Sequence, residues 1–275
     1  MVYVVKSAAT EDGVRFISTV DNMLSPSLSE SITKHVAFDC EGVNLSRVGS
    51  VELVSICFPS KDVFLIDFGG NTCSKIVKKV KDLFESDEVV KIIHDCRMDC
   101  DALFHLHGIK VINVHDTSCF HHIITGMENK NLNDVLSFNG ICLNSDRDKS
   151  VYKHNPSFWA ARPLTTKMID WASSDVDKLF KLSNIQLDRI SSSTSRSKAI
   201  AKSAEFASVA RNMKIRTGLK VRNVGIFIGR GGANIRRLEK RTDTLIYQED
   251  RSKGTWFVYY SSESSLAIVK REMDN

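Results

Sequence analysis

The chain has 275 residues, 42% of them hydrophobic, and a formal net charge of +5. That apolar share excludes a disordered chain, and the length suits two globular domains better than one. No run of about 18 apolar residues occurs, and Met1-Val2-Tyr3-Val4-Val5-Lys6 lacks a charged region followed by a long apolar one, so neither membrane insertion nor export is expected.

In chain order, β-branched segments at 36–41, 51–58, 63–68, 89–94 and 111–114 alternate with helical stretches around 74–85 and 97–107. Alternation of that kind predicts an α/β sheet. The first three strands are joined by short polar or Gly-containing segments, Gly49-Ser50 and Pro59-Ser60-Lys61-Asp62, as in an antiparallel meander, so the sheet should be mixed. Helical signals dominate after His115, through 131–138 and then one long segment from Leu164 to about Ile190. In that segment Ile169, Ala172, Val176, Leu179, Phe180 and Leu182 recur at helical period.

Ser191-Ser192-Ser193-Thr194-Ser195-Arg196-Ser197 reads as a linker, which places a first domain at 1–190 and a linker with a helix at 191–209. The remainder, 210–275, predicts strand 213–221, helix 223–227, a Gly-rich turn, helix 233–240, strands 244–248 and 255–260, and helix 262–273. Charge divides near the same place. Residues 1–195 hold 21 Lys+Arg against 25 Asp+Glu, and residues 196–275 hold 17 against 8. A basic C-terminal part is an electrostatic footprint for nucleic acid.

The seven cysteines are odd in number and irregularly spaced, which argues against a disulfide framework and for a reducing compartment, cytoplasm or nucleus. Cys96 and Cys100 lie near His94, His105 and His107, but Cys-x3-Cys lacks the paired spacing of a structural zinc site.

Phe38-Asp39-Cys40-Glu41 closes the first strand-like run. Residues two apart on a strand share a face, so Asp39 and Glu41 can grip cations together. In Lys91-Ile92-Ile93-His94-Asp95-Cys96-Arg97-Met98-Asp99, a strand turns into a helix with an acid in its first turn. Asp95 stands where an N-cap is needed, leaving Asp99 as the candidate ligand. Trp171-Ala172-Ser173-Ser174-Asp175 supplies a fourth acid on a helix. His94, His121 and His122 read as packed or capping residues rather than bases.

The order Asp-x-Glu, His-x4-Asp and helical Asp resembles the DEDD superfamily of 3'-5' exonucleases, in the branch of ribonuclease D and the Werner-type exonuclease domain. Val114-His115-Asp116-Thr117 is similar to that branch's Asp-Thr at a strand end. Asn155-Pro156-Ser157-Phe158-Trp159-Ala160-Ala161-Arg162-Pro163-Leu164 resembles a segment of a eukaryotic subgroup that includes Egalitarian-like proteins. The resemblance implies a ribonuclease H-like fold over about 1–190, with Asp39, Glu41, Asp99 and Asp175 as catalytic residues holding two Mg²⁺ or Mn²⁺ ions. One position departs from it. Active members of the tyrosine class carry a Tyr four residues before the last acid, and the histidine class a His five before; here those places hold Trp171 and Asp170. An indole N–H donates but cannot accept a proton from water. Arg162 has two readings, a clamp on a substrate phosphate or an ion pair within its own loop.

Ile226-Phe227-Ile228-Gly229-Arg230-Gly231-Gly232-Ala233-Asn234-Ile235 joins an apolar helix end, a Gly-x-x-Gly loop and a second helix. Glycines let the backbone approach a phosphate chain, and Arg230, Arg236, Arg237 and Arg241 add charge. The segment resembles a KH domain, an α+β module whose loop clamps single-stranded nucleic acid. The whole chain then resembles exonuclease-KH proteins. That resemblance implies Gly229, Arg230, Gly231, Gly232 and Arg236, with Arg162, as contacts to single-stranded RNA, or to DNA. The alternative is an RNA-binding adaptor on an exonuclease fold that no longer turns over.

Overall fold

The computed structural model describes residues 1–26, 33–70, 72–128, 130–144, 151, 155–190, 192–250 and 253–275. They divide into two units, Met1–Ser208 and Val209–Asn275.

The first unit begins with β1 (Val2–Val5) and a helix, Glu11–Leu24, neither of which the sequence pattern predicted. The Thr10 hydroxyl accepts the Gly13 N–H at 3.2 Å, and Glu11 and Asp12 fill the first turn, where the helix dipole favours negative charge. Next come β2 (Lys34–Glu41), β3 (Leu53–Cys57) and β4 (Val63–Ile66), paired antiparallel as the short connections predict. β5 (Val89–Ile93) and β6 (Val114–Asp116) run parallel to β2 and β5 respectively. Parallel neighbours need a crossover, and the helices Ser74–Phe84 and Arg97–His107 supply it. The resulting mixed sheet has the order β1-β4-β3-β2-β5-β6. β6 lies later than 111–114, because Val111 is buried from irregular backbone and the ladder to β5 starts only at Val114.

The pleat of β2 divides its side chains between two cores. Val36, Phe38 and Cys40 join a cluster with Phe16, Leu83, Phe84 and Leu103. Ala37 joins the opposite cluster with Leu53, Cys57, Leu65, Met168, Trp171, Ala172 and Val176. Asp39 and Glu41 follow Ala37 at two-residue steps, so they share the face covered by the helix Thr166–Asp177. The predicted long helix is two, Thr166–Asp177 and Leu179–Arg189, meeting at Lys178. The helical period survives the break because Lys178 keeps a right-handed conformation.

The described part of the Ser-rich run, from Ser192, is not extended. From Ser193 it forms the first turns of a helix, Ser193–Asn212, with Ser192 Oγ accepting the Ser195 N–H at 3.1 Å. Serine serves as a cap as readily as a linker residue, and capping won.

In the second unit, β7 (Lys214–Lys220), helix Val224–Ile228, helix Ala233–Thr242, β8 (Thr244–Asp250), β9 (Thr255–Tyr260) and helix Glu263–Asp274 follow the predicted order. The sheet is antiparallel, β7-β9-β8. Phe227, Leu238, Ile246, Trp256, Val258, Leu266 and Val269 form its core.

Candidate active site

Asp39 and Glu41 reach the end of β2 on the face just described, and Asp175 approaches from the helix Thr166–Asp177. One carboxylate oxygen from each of the three lies within 4.8 Å of the others. Asp99 stands apart from that trio but beside it. The Cys40 N–H, between the two strand acids, donates to Asp99 Oδ1 at 3.0 Å. Burial pushes the Asp99 carboxyl well above the usual carboxylate range, and the charge of Asp39 pushes it the same way. Hard carboxylate oxygens gathered this closely are the donor set that a hard divalent cation takes.

Asp95 does not cap its helix. Its backbone is left-handed at φ 59°, and its carboxylate pairs with Arg97 at 2.6 and 2.7 Å. Asp116 does that work instead. Its carboxylate accepts the N–H groups of Asp95 at 3.1 Å, Cys96 at 2.8 Å and Ser118 at 2.9 Å. One buried acid thus ties the turn leading to Asp99 to the start of the helix Thr117–Thr125. A second tie holds the loop after Glu41. Arg47 meets the fully buried Asp101 through its backbone N–H at 2.8 Å, Nε at 2.9 Å and Nη2 at 2.6 Å.

Arg162 is engaged inside the fold. Nε donates to Asp67 Oδ1 at 2.7 Å, Nη1 to the carbonyls of Trp159 and Ala161, and Nη2 to the carbonyl of Glu52 at 3.0 Å. The ion pair is to Asp67, outside its own loop, and a phosphate would have to displace that carboxylate. His94 is held between Thr117 Oγ1 and the Lys130 carbonyl, both at 2.9 Å, and His121 packs its edge on Phe138. Trp171 is buried, with Phe158 against it at 5.5 Å between ring centroids and the Lys167 ammonium over its ring at 4.7 Å.

Asn144 is the site residue that pattern reading missed. Its Nδ2 donates to Asp175 Oδ1 and its Oδ1 accepts from Lys178 Nζ, both at 2.7 Å. An asparagine in an irregular stretch carries no periodic signal, so only the fold identifies it.

In the second unit, Gly229, Gly231 and Gly232 have φ of 73°, 57° and 80°. A Cβ at Gly229 would stand 2.7 Å from the Asn234 side chain, so the turn demands glycine there twice over. Arg230, Arg236 and Arg237 are exposed, and the Arg236 guanidinium lies back over Gly232. Arg241 is paired with Glu272 at 2.6 Å.

A mixed sheet with paired acids at the end of β2, a third acid on the helix across it and a fourth on the crossover helix define a DEDD-type 3'-5' exonuclease domain. The family model described as 3'-5' exonuclease matches residues 14–190, and the chain belongs to that family. Among curated proteins it is similar to a piRNA biogenesis protein EXD1 of Bombyx mori, 24% identical over 175 residues, 62% of this chain and 55% of that one. The chain therefore spans about half the length of that relative. Among solved structures it resembles Trypanosoma brucei RNase D, with a TM-score of 0.62, 22% identity, and coverage of 76% of this chain and 73% of that one. It also resembles Brucella melitensis NrnC with bound Mg²⁺, with a TM-score of 0.55, 19% identity, and coverage of 76% and 90%.

Proposed function

We propose that this protein is a metal-dependent 3'-5' exonuclease that shortens single-stranded RNA, its second unit being a KH domain that holds the strand. The observation that carries the reading is the convergence of Asp39, Glu41 and Asp175 at the end of β2, with Asp99 bonded to the backbone between the two strand acids. Those four side chains would hold two Mg²⁺ or Mn²⁺ ions. When bound, such a pair supplies an activated water for in-line attack and neutralises charge on the leaving oxygen. Attack at phosphorus breaks the bond to the 3' oxygen and releases a nucleoside 5'-monophosphate. The chain's own part is to hold the acids. The pleat of β2 aims two of them, and the Cys40 N–H steadies Asp99.

Support for the KH reading comes from the β-α-α-β-β-α order, the three left-handed glycines between the paired helices, and the exposed arginines around them. Ile226, 62% exposed beside that turn, offers an apolar surface for a base. Incubation with 5'-labelled single-stranded RNA and Mn²⁺ should give a ladder shortened from the 3' end, and Asp39→Ala with Glu41→Ala should abolish it. Absence of a ladder, or a ladder unaffected by those substitutions, removes the enzymatic reading.

One observation favours a second reading, an RNA-binding adaptor. The side chain at 171 is an indole packed into the apolar cluster, with no oxygen to orient water. Trp171→Tyr separates the two. An exonuclease should gain at least several-fold in Mn²⁺-dependent rate, whereas an adaptor should gain nothing.

A further inference from the structure

We infer that Asn144 is an insulating residue of the metal centre: it keeps the Lys178 ammonium off Asp175 while fixing that carboxylate's orientation. The inference deepens the exonuclease reading and rests on it. Asp175 and Lys178 are three residues apart across helical backbone, the spacing at which acid and lysine pair directly. Here the ammonium instead lies 3.4 Å from Asp177 Oδ1 and against Asn144. Lys178 Nζ donates to Asn144 Oδ1, and Asn144 Nδ2 donates to Asp175 Oδ1, each at 2.7 Å.

The chemistry of the two ends fixes the orientation of the amide. An ammonium has only hydrogens to offer, so the Asn144 oxygen faces Lys178; an ionised carboxylate only accepts, so the nitrogen faces Asp175. Asn144 is itself buried, and its backbone N–H donates to Asn133 Oδ1 at 3.0 Å, so the amide is held from its main chain as well. A direct lysine–carboxylate bond would occupy an oxygen and offset the negative charge that a divalent cation seeks. A neutral amide occupies the same oxygen without that competition. Asn144 is therefore a positioning residue, acting through Asp175, and Lys178 is a cation held one side chain away.

Mn²⁺ titration followed by electron paramagnetic resonance tests this on the full chain, comparing wild type with Asn144→Ala, Lys178→Met, the double variant and Asp39→Ala. Asn144→Ala should bind Mn²⁺ about tenfold more weakly, the scale seen when an outer partner of a ligand is removed. The double variant should recover the share of that loss that comes from Lys178 moving onto Asp175. Lys178→Met alone should bind like wild type. Urea unfolding without metal reports any general loss of structure, which a fold defect would move and an insulating role would not. Wild-type affinity in Asn144→Ala, a double variant no better than the single, or a Lys178→Met loss as large as that of Asn144→Ala each overturns the inference. If wild type binds Mn²⁺ and Asp39→Ala does not, the metal centre stands whatever Asn144 does. If wild type itself fails to bind, both readings fall.

Discussion

Two buried basic side chains each make stability depend on pH. Lys91 is fully buried on β5, its ammonium donating to the carbonyl of Val89 at 2.6 Å, and burial lowers its pKa to about 7. The unfolded chain holds that proton up to about 10.5, so the unfolded state binds more protons between 7 and 10.5 and stability rises with pH across that window. A shift of that size corresponds to about 5 kcal/mol between the charged and neutral forms. His115, stacked on Phe120 and facing Gln186, is lowered to about 4 by burial. Its unfolded form takes a proton near 6.5, so stability falls as pH drops from about 6.5 towards 4. Urea midpoints should therefore rise less between pH 7 and 10 in Lys91→Met than in wild type, while the two respond alike between pH 6.5 and 4. An identical alkaline response in the two proteins would contradict this account.

At the scale of elements, the hairpin loop after Glu41 and the helix Arg97–His107 are fastened by Arg47 and Asp101. Asp101→Ala removes the buried carboxylate that the Arg47 guanidinium and backbone N–H share, and should cost about 3 kcal/mol in a urea melt. The Mn²⁺-dependent rate should fall as well, since the same change loosens the two elements that carry Glu41 and Asp99. The strands and their helices were legible because β2 to β5 are apolar runs punctuated by turn residues. The helix Glu11–Leu24 was not predicted, although its Thr10-Glu11-Asp12 start and buried Phe16 and Val20 were there to be read. A kink at Lys178 leaves no mark on a helical period. The Ser-rich run misled because serine's preference for irregular backbone and its use as a helix cap have one origin, a hydroxyl that bonds nearby backbone. Of the site, the acids on regular elements were legible from their spacing. Asp116 was marked by its Asp-Thr resemblance but not its role in tying two helix starts, and Asn144, which works through tertiary hydrogen bonds, was not marked at all.

Over the whole molecule, an acidic first part precedes a basic second one, and the counts for 1–195 and 196–275 differ in sign. If the second unit supplies RNA affinity, binding should weaken steeply with salt as counterions released from the phosphates are restored. Gly231→Asp with Gly232→Asp sets carboxylates against the strand and forces aspartate into left-handed backbone, so filter binding of single-stranded RNA should drop at least tenfold. Unchanged affinity would remove the KH reading while leaving the acids untouched. Among the described residues no helix is long and apolar enough to cross a membrane. The first unit also shows why its acid motif has the form Asp-x-Glu. β2 is read on two sides at once, with Phe38 and Cys40 in one core and Ala37, Asp39 and Glu41 turned to the other. Deleting one residue from the strand would exchange those sides, sending carboxylates among phenylalanines and a phenylalanine into the site. Chain length upstream of the acids is therefore under the same constraint as the acids themselves, and insertions in this family should collect in the loops flanking β2 and spare the strand.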